Sequence, residues 1–145
     1  MTILRPLPHH RLVAYEVATE LLASVIAAKI EDSRLRDQAL RAAKSACLNI
    51  AEAAGRSGRA DQARVFTIAR AEACEAAAAL EIAAIAGDCT SAAAYDAHNL
   101  AHRLVRLLTG LIRPKSHPSI DTKPNPELQP DAETLDPNLK LEPET

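Results

Sequence analysis

Aromatic residues are nearly missing from this sequence of 145 residues, which has one phenylalanine, two tyrosines and no tryptophan. Without aromatic side chains among its basic ones, the chain has no evident platform on which nucleic-acid bases would stack. It has no apolar run of about 18 residues, so no membrane-spanning helix is predicted. The N-terminus has neither the apolar segment nor the small-residue cleavage site of a secretion signal, which favours a cytoplasmic protein.

Cysteine pairs and the usual catalytic motifs are missing as well. The three cysteines form no C-x-x-C pair, and this odd set suits buried or half-buried thiols in a reducing cytosol. The glycine segment that begins at Gly55 is too short for a P-loop and lacks its Lys-Ser/Thr pair. Ser45 does not lie on a nucleophile elbow. We therefore expect a protein that is not an enzyme and that has no cofactor.

One pair of histidines has the spacing of metal ligands. His98 and His102 form H-x-x-x-H, but the glutamate of H-E-x-x-H is missing. Di-iron bundles need Glu-x-x-His on two helices, and neither Glu72 nor Glu75 is followed by such a histidine. A metal-binding bundle is thus the least favoured of three hypotheses, and no metal site is predicted.

Proline is missing from residues 9 to 113, and only four glycines interrupt that stretch. Because proline breaks helix interiors and glycine ends helices, the stretch reads as several helices. Apolar residues recur at spacings of three and four, which predicts helices over residues 8–31, 34–54, 59–86 and 92–113. Asp32 or Ser33 is expected to cap the second helix, and Thr90 or Ser91 the fourth. No segment alternates apolar and polar residues, so no strand is predicted.

Short connections favour consecutive helices that lie antiparallel. The sequence therefore predicts an all-α, antiparallel up-down four-helix bundle over residues 9–113, preceded by an N-terminal arm over residues 1–8. The apolar content is mostly alanine, which favours helices but buries little area, so a thin core supplemented by homo-oligomerisation is expected. Residues 114–145 carry seven of the nine prolines and seven acidic against three basic residues, which predicts a disordered, acidic, proline-rich tail.

A stripe of polar residues follows one side of the second predicted helix, as the advance of about 100° per residue shows. Within it, Glu52 and Arg56 stand at i,i+4 in the order that favours an ion pair. The stripe is either a solvated face or a surface that fixes this helix against a neighbour or a second subunit. Its members are Arg34, Gln38, Arg41, Ser45, Asn49, Glu52 and Arg56.

Basic residues are dense between residues 34 and 70. Because guanidinium and ammonium groups bind phosphate, this density suggests a nucleic-acid face. Asp37, Glu52 and Asp61 interrupt it, and the isoelectric point near 6.2 lies below that of a typical basic footprint. The candidate nucleic-acid contacts are Arg34, Arg41, Lys44, Arg56, Arg59 and Arg64.

The most specific motif spans the second and third predicted helices. It consists of Ser45, the run Asn49-Ile50-Ala51-Glu52, and Gly55-Arg56, followed by Asp61, the run Ile68-Ala69-Arg70, and Glu75. This pattern resembles the bacterial four-helix bundle family of the ribosomal-RNA intervening-sequence proteins. That family also includes the accessory variability determinants of diversity-generating retroelements.

The resemblance implies an antiparallel bundle that assembles into a ring, commonly a pentamer. The chain departs from the family pattern at three places: Ala53 stands for a glycine, Ala71-Glu72 replaces Gly-Ser, and Gln62 stands for an aromatic residue. These departures affect the junction between the second and third helices. The implied interface or structural motif comprises Ser45, Asn49, Glu52, Gly55 and Arg56.

Charge separates the two branches of this family. Retroelement members are more basic and bind a reverse transcriptase and nucleic acid, whereas residues 8–113 here hold 13 basic and 12 acidic residues and fit the intervening-sequence members better. The leading hypothesis is a non-enzymatic, homo-oligomeric scaffold that contacts nucleic acid or a nucleoprotein partner, such as ribosomal RNA or a reverse transcriptase. The alternative is a protein-binding adaptor without nucleic-acid contact, which the neutral body and acidic tail favour.

Overall fold

The computed structural model describes residues 5–114, and this part of the chain is helical throughout its regular structure. Four helices follow one another: α1 (Val13–Ala27), α2 (Ser33–Gly55), α3 (Arg59–Ala86) and α4 (Ser91–Ile112), with a short 3-10 turn (Pro8–Arg11) before α1. No strand occurs within residues 5–114, so the prediction of an all-α fold with four helices is confirmed. Residues 1–4 of the predicted arm and residues 115–145 of the predicted tail lie outside the described residues.

The first helix is shorter at both ends than the predicted range of residues 8–31. At its start the chain forms the 3-10 turn, and Leu12 is extended, with φ −96° and ψ 122°, so α1 begins only at Val13. At its end Lys29 has a φ of 47°, a left-handed conformation that stops a helix. The predicted bounds of the other three helices are right to within one residue.

Side-chain caps begin two of the helices. The Asp32 carboxylate accepts a hydrogen bond from the Leu35 backbone N–H at 2.8 Å and caps α2. The Thr90 hydroxyl accepts one from the Ala93 N–H at 3.1 Å and caps α4. Each satisfies a backbone donor that the first turn of a helix leaves free. Both positions were among the predicted capping residues.

The α3 helix ends at a glycine whose conformation the turn requires. Gly87 has a φ of +84°, which side chains other than hydrogen rarely permit. Its N–H donates to the Ala84 carbonyl at 3.2 Å, and the Asp88 N–H donates to the Ala83 carbonyl at 2.7 Å. This pair of bonds satisfies the last carbonyls of α3 and turns the chain toward α4.

Alanine makes up most of the core. Of 27 buried apolar residues in the described part, 16 are alanine, and no polar or charged residue there is buried. The larger fully buried side chains are spread over all four helices and include Leu21, Ile50, Leu80 and Leu104. Small side chains let helix backbones approach closely but contribute little apolar area per residue. The expected thin core is therefore present.

The helices contact one another around a closed circuit. α2 packs against α3, α3 against α4, and α1 against both α4 and α2, whereas α2 and α4 do not touch within the described residues. Hydrogen bonds join Arg70, in the first half of α3, to Thr109 near the end of α4, and Glu81, near the end of α3, to His98 in the first half of α4. This order is the one expected of antiparallel neighbours. Among the helices of residues 5–114, none is both long enough and apolar enough to cross a membrane.

The cysteines are free, but one of them departs from the expected burial. Cys47 is buried, and burial raises the pKa of its thiol above the ordinary value. Cys89 is half-buried, and its pKa is raised for the same reason. Cys74 is exposed, contrary to the expectation, because it lies on the side of α3 that borders a surface groove beside α4.

Candidate functional site

The polar stripe of α2 lies along α3. Near the N-terminal end of α2, two side chains of the stripe contact α3. The Gln38 side-chain amide donates to Glu75 Oε1 at 2.7 Å, and the Arg41 guanidinium donates to the same oxygen. Arg41 also lies 3.7 Å from Glu72 Oε2. Glu72 stands where the family pattern has serine, so this departure adds a second carboxylate to the environment of Arg41.

The middle of the stripe is satisfied within α2 itself. The Asn49 side-chain amide donates to the Ser45 carbonyl at 2.9 Å and to the Ser45 hydroxyl at 3.1 Å. Both residues are half-buried. The side-chain amide of Asn49 therefore bonds within α2, and among the described residues it makes no hydrogen bond to α3.

Arg56 ties together the two sides of the α2–α3 connection. Its guanidinium donates to Glu52, one turn earlier, and to Asp61 Oδ2 at 2.6 Å on α3. Its backbone carbonyl accepts a bond from the Gln62 amide at 2.8 Å. Arg64 donates to Asp61 Oδ1 at 2.9 Å and 3.2 Å. Gln62, which stands where the family pattern has an aromatic residue, thus takes part in the α2–α3 turn.

The ionisation of this cluster follows from those contacts. Hydrogen bonds from Arg56, and then from Arg64, lower the pKa of the Asp61 carboxyl below its ordinary value of 3.8. Hydrogen bonds to Glu52 and then Asp61 raise the pKa of Arg56. Asp61 and Arg56 are therefore charged at neutral pH. We name Gln38, Arg41, Ser45, Asn49, Glu52 and Arg56, with Asp61, Arg64, Glu72 and Glu75, the α2–α3 ladder.

Gly55 differs from the other motif residues because the space that a side chain would occupy there is open. It is exposed at the end of α2, and a Cβ added there would meet no atom within 4 Å. No positive φ requires glycine at this position either. Within one subunit, the structure gives this glycine no packing role.

The six predicted nucleic-acid contacts divide into two groups. Arg41, Arg56 and Arg64 are paired with carboxylates of the α2–α3 ladder. Arg34 and Lys44 are exposed and form no ion pair within residues 5–114, and Arg59 donates to the Arg113 carbonyl at 2.9 Å. The ladder arginines therefore face fixed negative charge, which weakens their attraction for phosphate.

Large apolar side chains are exposed on α2 and α3, the two helices that carry the ladder, and the sequence analysis did not identify them as a surface. On α3, Ile82 and Ile85 are 53% and 88% exposed, and Ile68 is 39% exposed. On α2, Leu48 is 70% exposed. Arg41 is level with Glu75, and Arg56 with Asp61, so the turn of Leu48 is level with the turn of Ile68. We name Leu48, Ile68, Ile82 and Ile85 the apolar α2–α3 surface.

A signal for this surface was present in the sequence of α3. The helix carries alanine or isoleucine on every side, and a helix that is apolar all round is normally buried all round. Packing against α2 and α4 covers only its inner side. The sequence analysis searched each helix for a single apolar seam, and it therefore missed the isoleucines on the outer side of α3.

The histidine pair borders a groove between α3 and α4. His98 Nδ1 lies 3.0 Å from Glu81 Oε1, and Cys74 and His102 line the same groove. Among residues 5–114, no group of three or more His, Cys, Asp or Glu side chains is arranged to hold a metal ion. The metal-binding hypothesis gains no support from this groove.

Comparison with known families gives one result. The family model described as "23S rRNA-intervening sequence protein" matches residues 10–110, a range that spans all four helices. No curated protein matches the chain.

Proposed function

We propose, from the premise that this chain belongs to the 23S rRNA-intervening sequence protein family, that it is a non-enzymatic, homo-oligomeric scaffold that contacts RNA or a ribonucleoprotein. The family description supports the RNA-associated part of the proposal. The outer side of α2 and α3 supports the assembly part.

The observation that carries the assembly part is the apolar α2–α3 surface. Isolated exposed apolar residues are normal, but contiguous apolar patches mark interaction sites. Leu48 and Ile68 are level on adjacent helices, and Ile82 and Ile85 are exposed about four turns further along α3, beyond Glu72 and Glu75. A second copy that covered these side chains would add the apolar burial that the alanine-rich core lacks.

The α2–α3 ladder is suited to the rim of such an interface. Its arginines are already paired with carboxylates of the same chain, so a partner is not required to neutralise them. Protein interfaces commonly combine an apolar centre with a polar rim. The predicted motif residues Ser45, Asn49 and Glu52 would then shape the surface by holding α2 in place.

Light scattering with matched variants tests the assembly. The full chain has a mass of 15.5 kDa, so a ring of five, as the family resemblance implies, would have a mass of about 78 kDa. We expect Leu48→Asp combined with Ile82→Asp to dissociate the assembly. Tyr95→Asp, at a side chain that is 67% exposed on α4, should leave the mass unchanged. A wild-type mass of one subunit at micromolar concentration would refute the assembly.

The pairing of the ladder arginines also favours the second candidate, a protein-binding adaptor without nucleic-acid contact. Arg41, Arg56 and Arg64 are the centre of the predicted nucleic-acid set, and each has a carboxylate partner. Salt-dependent binding of RNA by the wild-type chain would reject the adaptor. Retention of the assembly without any RNA binding would favour it.

A further inference from the structure

We propose that RNA binds through its phosphate backbone to the outer face of α4 in its C-terminal half. The residues of this basic α4 face are His102, Arg103, Arg106 and Arg113, with Arg11 and Arg59 at the same end of the bundle. The inference rests on the RNA-contacting part of the proposed function. It moves the contact from the α2 and α3 arginines, where the sequence pointed, to a different helix.

Two segments of the sequence contain basic residues but no acidic ones. Residues 97–113 contain three arginines and two histidines but no aspartate or glutamate. Residues 1–15 likewise contain no acidic residue. Residues 16–96, by contrast, hold 12 acidic and 9 basic residues and carry a net charge of −3.

The structure gathers these two acid-free segments. Arg11 and residues that follow it line one groove with Leu107, Gly110 and Leu111 of α4. The Arg59 guanidinium donates to the Arg113 carbonyl at 2.9 Å, which brings the start of α3 to the same place. Three separate parts of the chain therefore contribute guanidinium groups to one end of the bundle.

The arginines on α4 are presented outward and carry no ion pair. Arg103 and Arg106 are exposed, and with His102 and Leu107 they line a shallow groove of about 330 Å³. Within residues 5–114, no carboxylate lies within 4 Å of Arg103, Arg106 or Arg113. This contrasts with the α2–α3 ladder, where each arginine faces at least one carboxylate.

The spacing of these cations fits a polyanion with regular charges. At a rise of about 1.5 Å per residue, Arg103 and Arg106 are about 4.5 Å apart along the helix axis, and Arg113 lies about 10.5 Å further on. A nucleic-acid backbone presents charges every few ångströms over such a length. Arginine forks match phosphate oxygens in geometry as well as in charge.

A protein partner fits this face less well. Hot spots of protein interfaces are large apolar or aromatic anchors surrounded by polar residues. No large apolar residue of α4 beyond Tyr95 is exposed, and Tyr95 lies in its first half. The surface thus offers charge without an anchor, as expected for electrostatic binding of a phosphate backbone.

The location leaves the apolar α2–α3 surface free. α2 and α4 do not touch, so they occupy diagonal corners of the bundle. RNA on the outer face of α4 and a second subunit on the α2 side would therefore not compete. In an assembly, each subunit would repeat the basic α4 face and multiply its attraction for RNA.

The test measures binding of the full chain to a fluorescein-labelled RNA hairpin by anisotropy, at salt concentrations from about 50 to about 200 mM. Because each lost phosphate contact lowers the salt slope by about 1, Arg103→Ala with Arg106→Ala should weaken binding and lower the slope by about 2. Arg103→Lys with Arg106→Lys keeps both charges and should restore most of the slope. The matched control, Arg34→Ala with Lys44→Ala, removes two unpaired cations from α2 and should change neither quantity.

The outcomes separate this inference from the proposed function. Loss of slope in the α2 variant, with the α4 variant unchanged, would overturn the basic α4 face but leave RNA binding intact. Failure of the wild-type chain to bind the hairpin at any salt concentration would overturn both. Arginines near a helix C-terminus also stabilise the helix, because their positive charge interacts favourably with the helix dipole. Thermal unfolding of each variant is therefore measured in parallel. A loss of binding that follows unfolding, and that the lysine variant does not rescue, would also reject the inference.

Discussion

Replacing Leu80 with alanine tests whether the alanine-rich core holds the bundle together. Leu80 is fully buried on α3, and the buried positions three and four residues away on its own helix are Ala76, Ala77 and Ala83. The substitution removes three methylene-sized groups at about 0.8 kcal/mol each, or about 2.4 kcal/mol. Neighbouring methyl groups cannot rotate to fill the space, so a residual cavity of about 60 Å³ at about 24 cal/mol/Å³ adds about 1.4 kcal/mol.

The expected loss is therefore about 4 kcal/mol, a large share of the roughly 5–15 kcal/mol that holds a typical domain folded. Urea denaturation followed by circular dichroism should show a lower midpoint with an unchanged slope. For about 110 ordered residues, the melting temperature should fall by about 15–20 °C. Protein concentration is held fixed, because assembly makes stability concentration-dependent.

The matched control is Leu48→Ala, which makes the same chemical change at a side chain that is 70% exposed. In a dissociated subunit this change should alter the free energy of unfolding by less than about 0.5 kcal/mol. A loss below about 1 kcal/mol for Leu80→Ala would refute the reasoning, since it would mean that the core collapses around the missing side chain.

Three further changes test separate features of the fold. Thr90→Ala removes the cap of α4 and should lower the free energy of unfolding by about 1 kcal/mol in urea denaturation, whereas Thr90→Ser should retain most of it. Ala73→Leu inserts three carbons at a fully buried position and should cost about 1–3 kcal/mol; an unchanged urea midpoint would show that the helices can separate. The lowered pKa of Asp61 means that its contribution to stability is present above pH 3.8 and is lost as the pH falls through its folded value. Asp61→Asn should therefore destabilise the protein near neutral pH, and that difference should shrink in acid melts; a difference independent of pH would contradict the bonds from Arg56 and Arg64.

The bounds of the helices were largely readable from the sequence because glycine and capping residues mark the ends of three of them. Gly87 and Thr90 stand between α3 and α4, and both act at the positions expected of a C-terminal glycine and an N-terminal cap. The first helix was predicted too long because Pro8 begins the 3-10 turn and not α1, and because no proline or glycine follows Ala27 to mark the end of the helix. Lys29, which follows this helix, has a left-handed backbone conformation, and a lysine in the sequence does not predict that conformation.

The ladder was only partly readable. The pair formed by Glu52 and Arg56 follows from a helical spacing of four, and it is present. The contact between Arg41 and Glu75 joins residues 34 apart, and it depends on the relative shift of α2 and α3. Local periodicity carries no information about that shift. The carboxylate partners of the candidate nucleic-acid residues could therefore not be assigned in advance.

The basic α4 face was overlooked for a different reason. Counting cations over a stretch favours residues 34–70, where arginines are frequent, but it ignores whether carboxylates of another helix face them. Arg103, Arg106 and Arg113 are fewer, yet residues 97–113 hold no acid. A count of charge per helix face, in place of a count per segment, would have found them.

Sedimentation velocity of the wild-type chain, alone and mixed with a labelled fragment of 23S rRNA, tests the central claim most directly. A homo-oligomeric RNA-contacting scaffold predicts a particle several times the subunit mass of 15.5 kDa, with the RNA sedimenting together with it at low salt. A particle of 15.5 kDa that leaves the RNA behind would contradict the account.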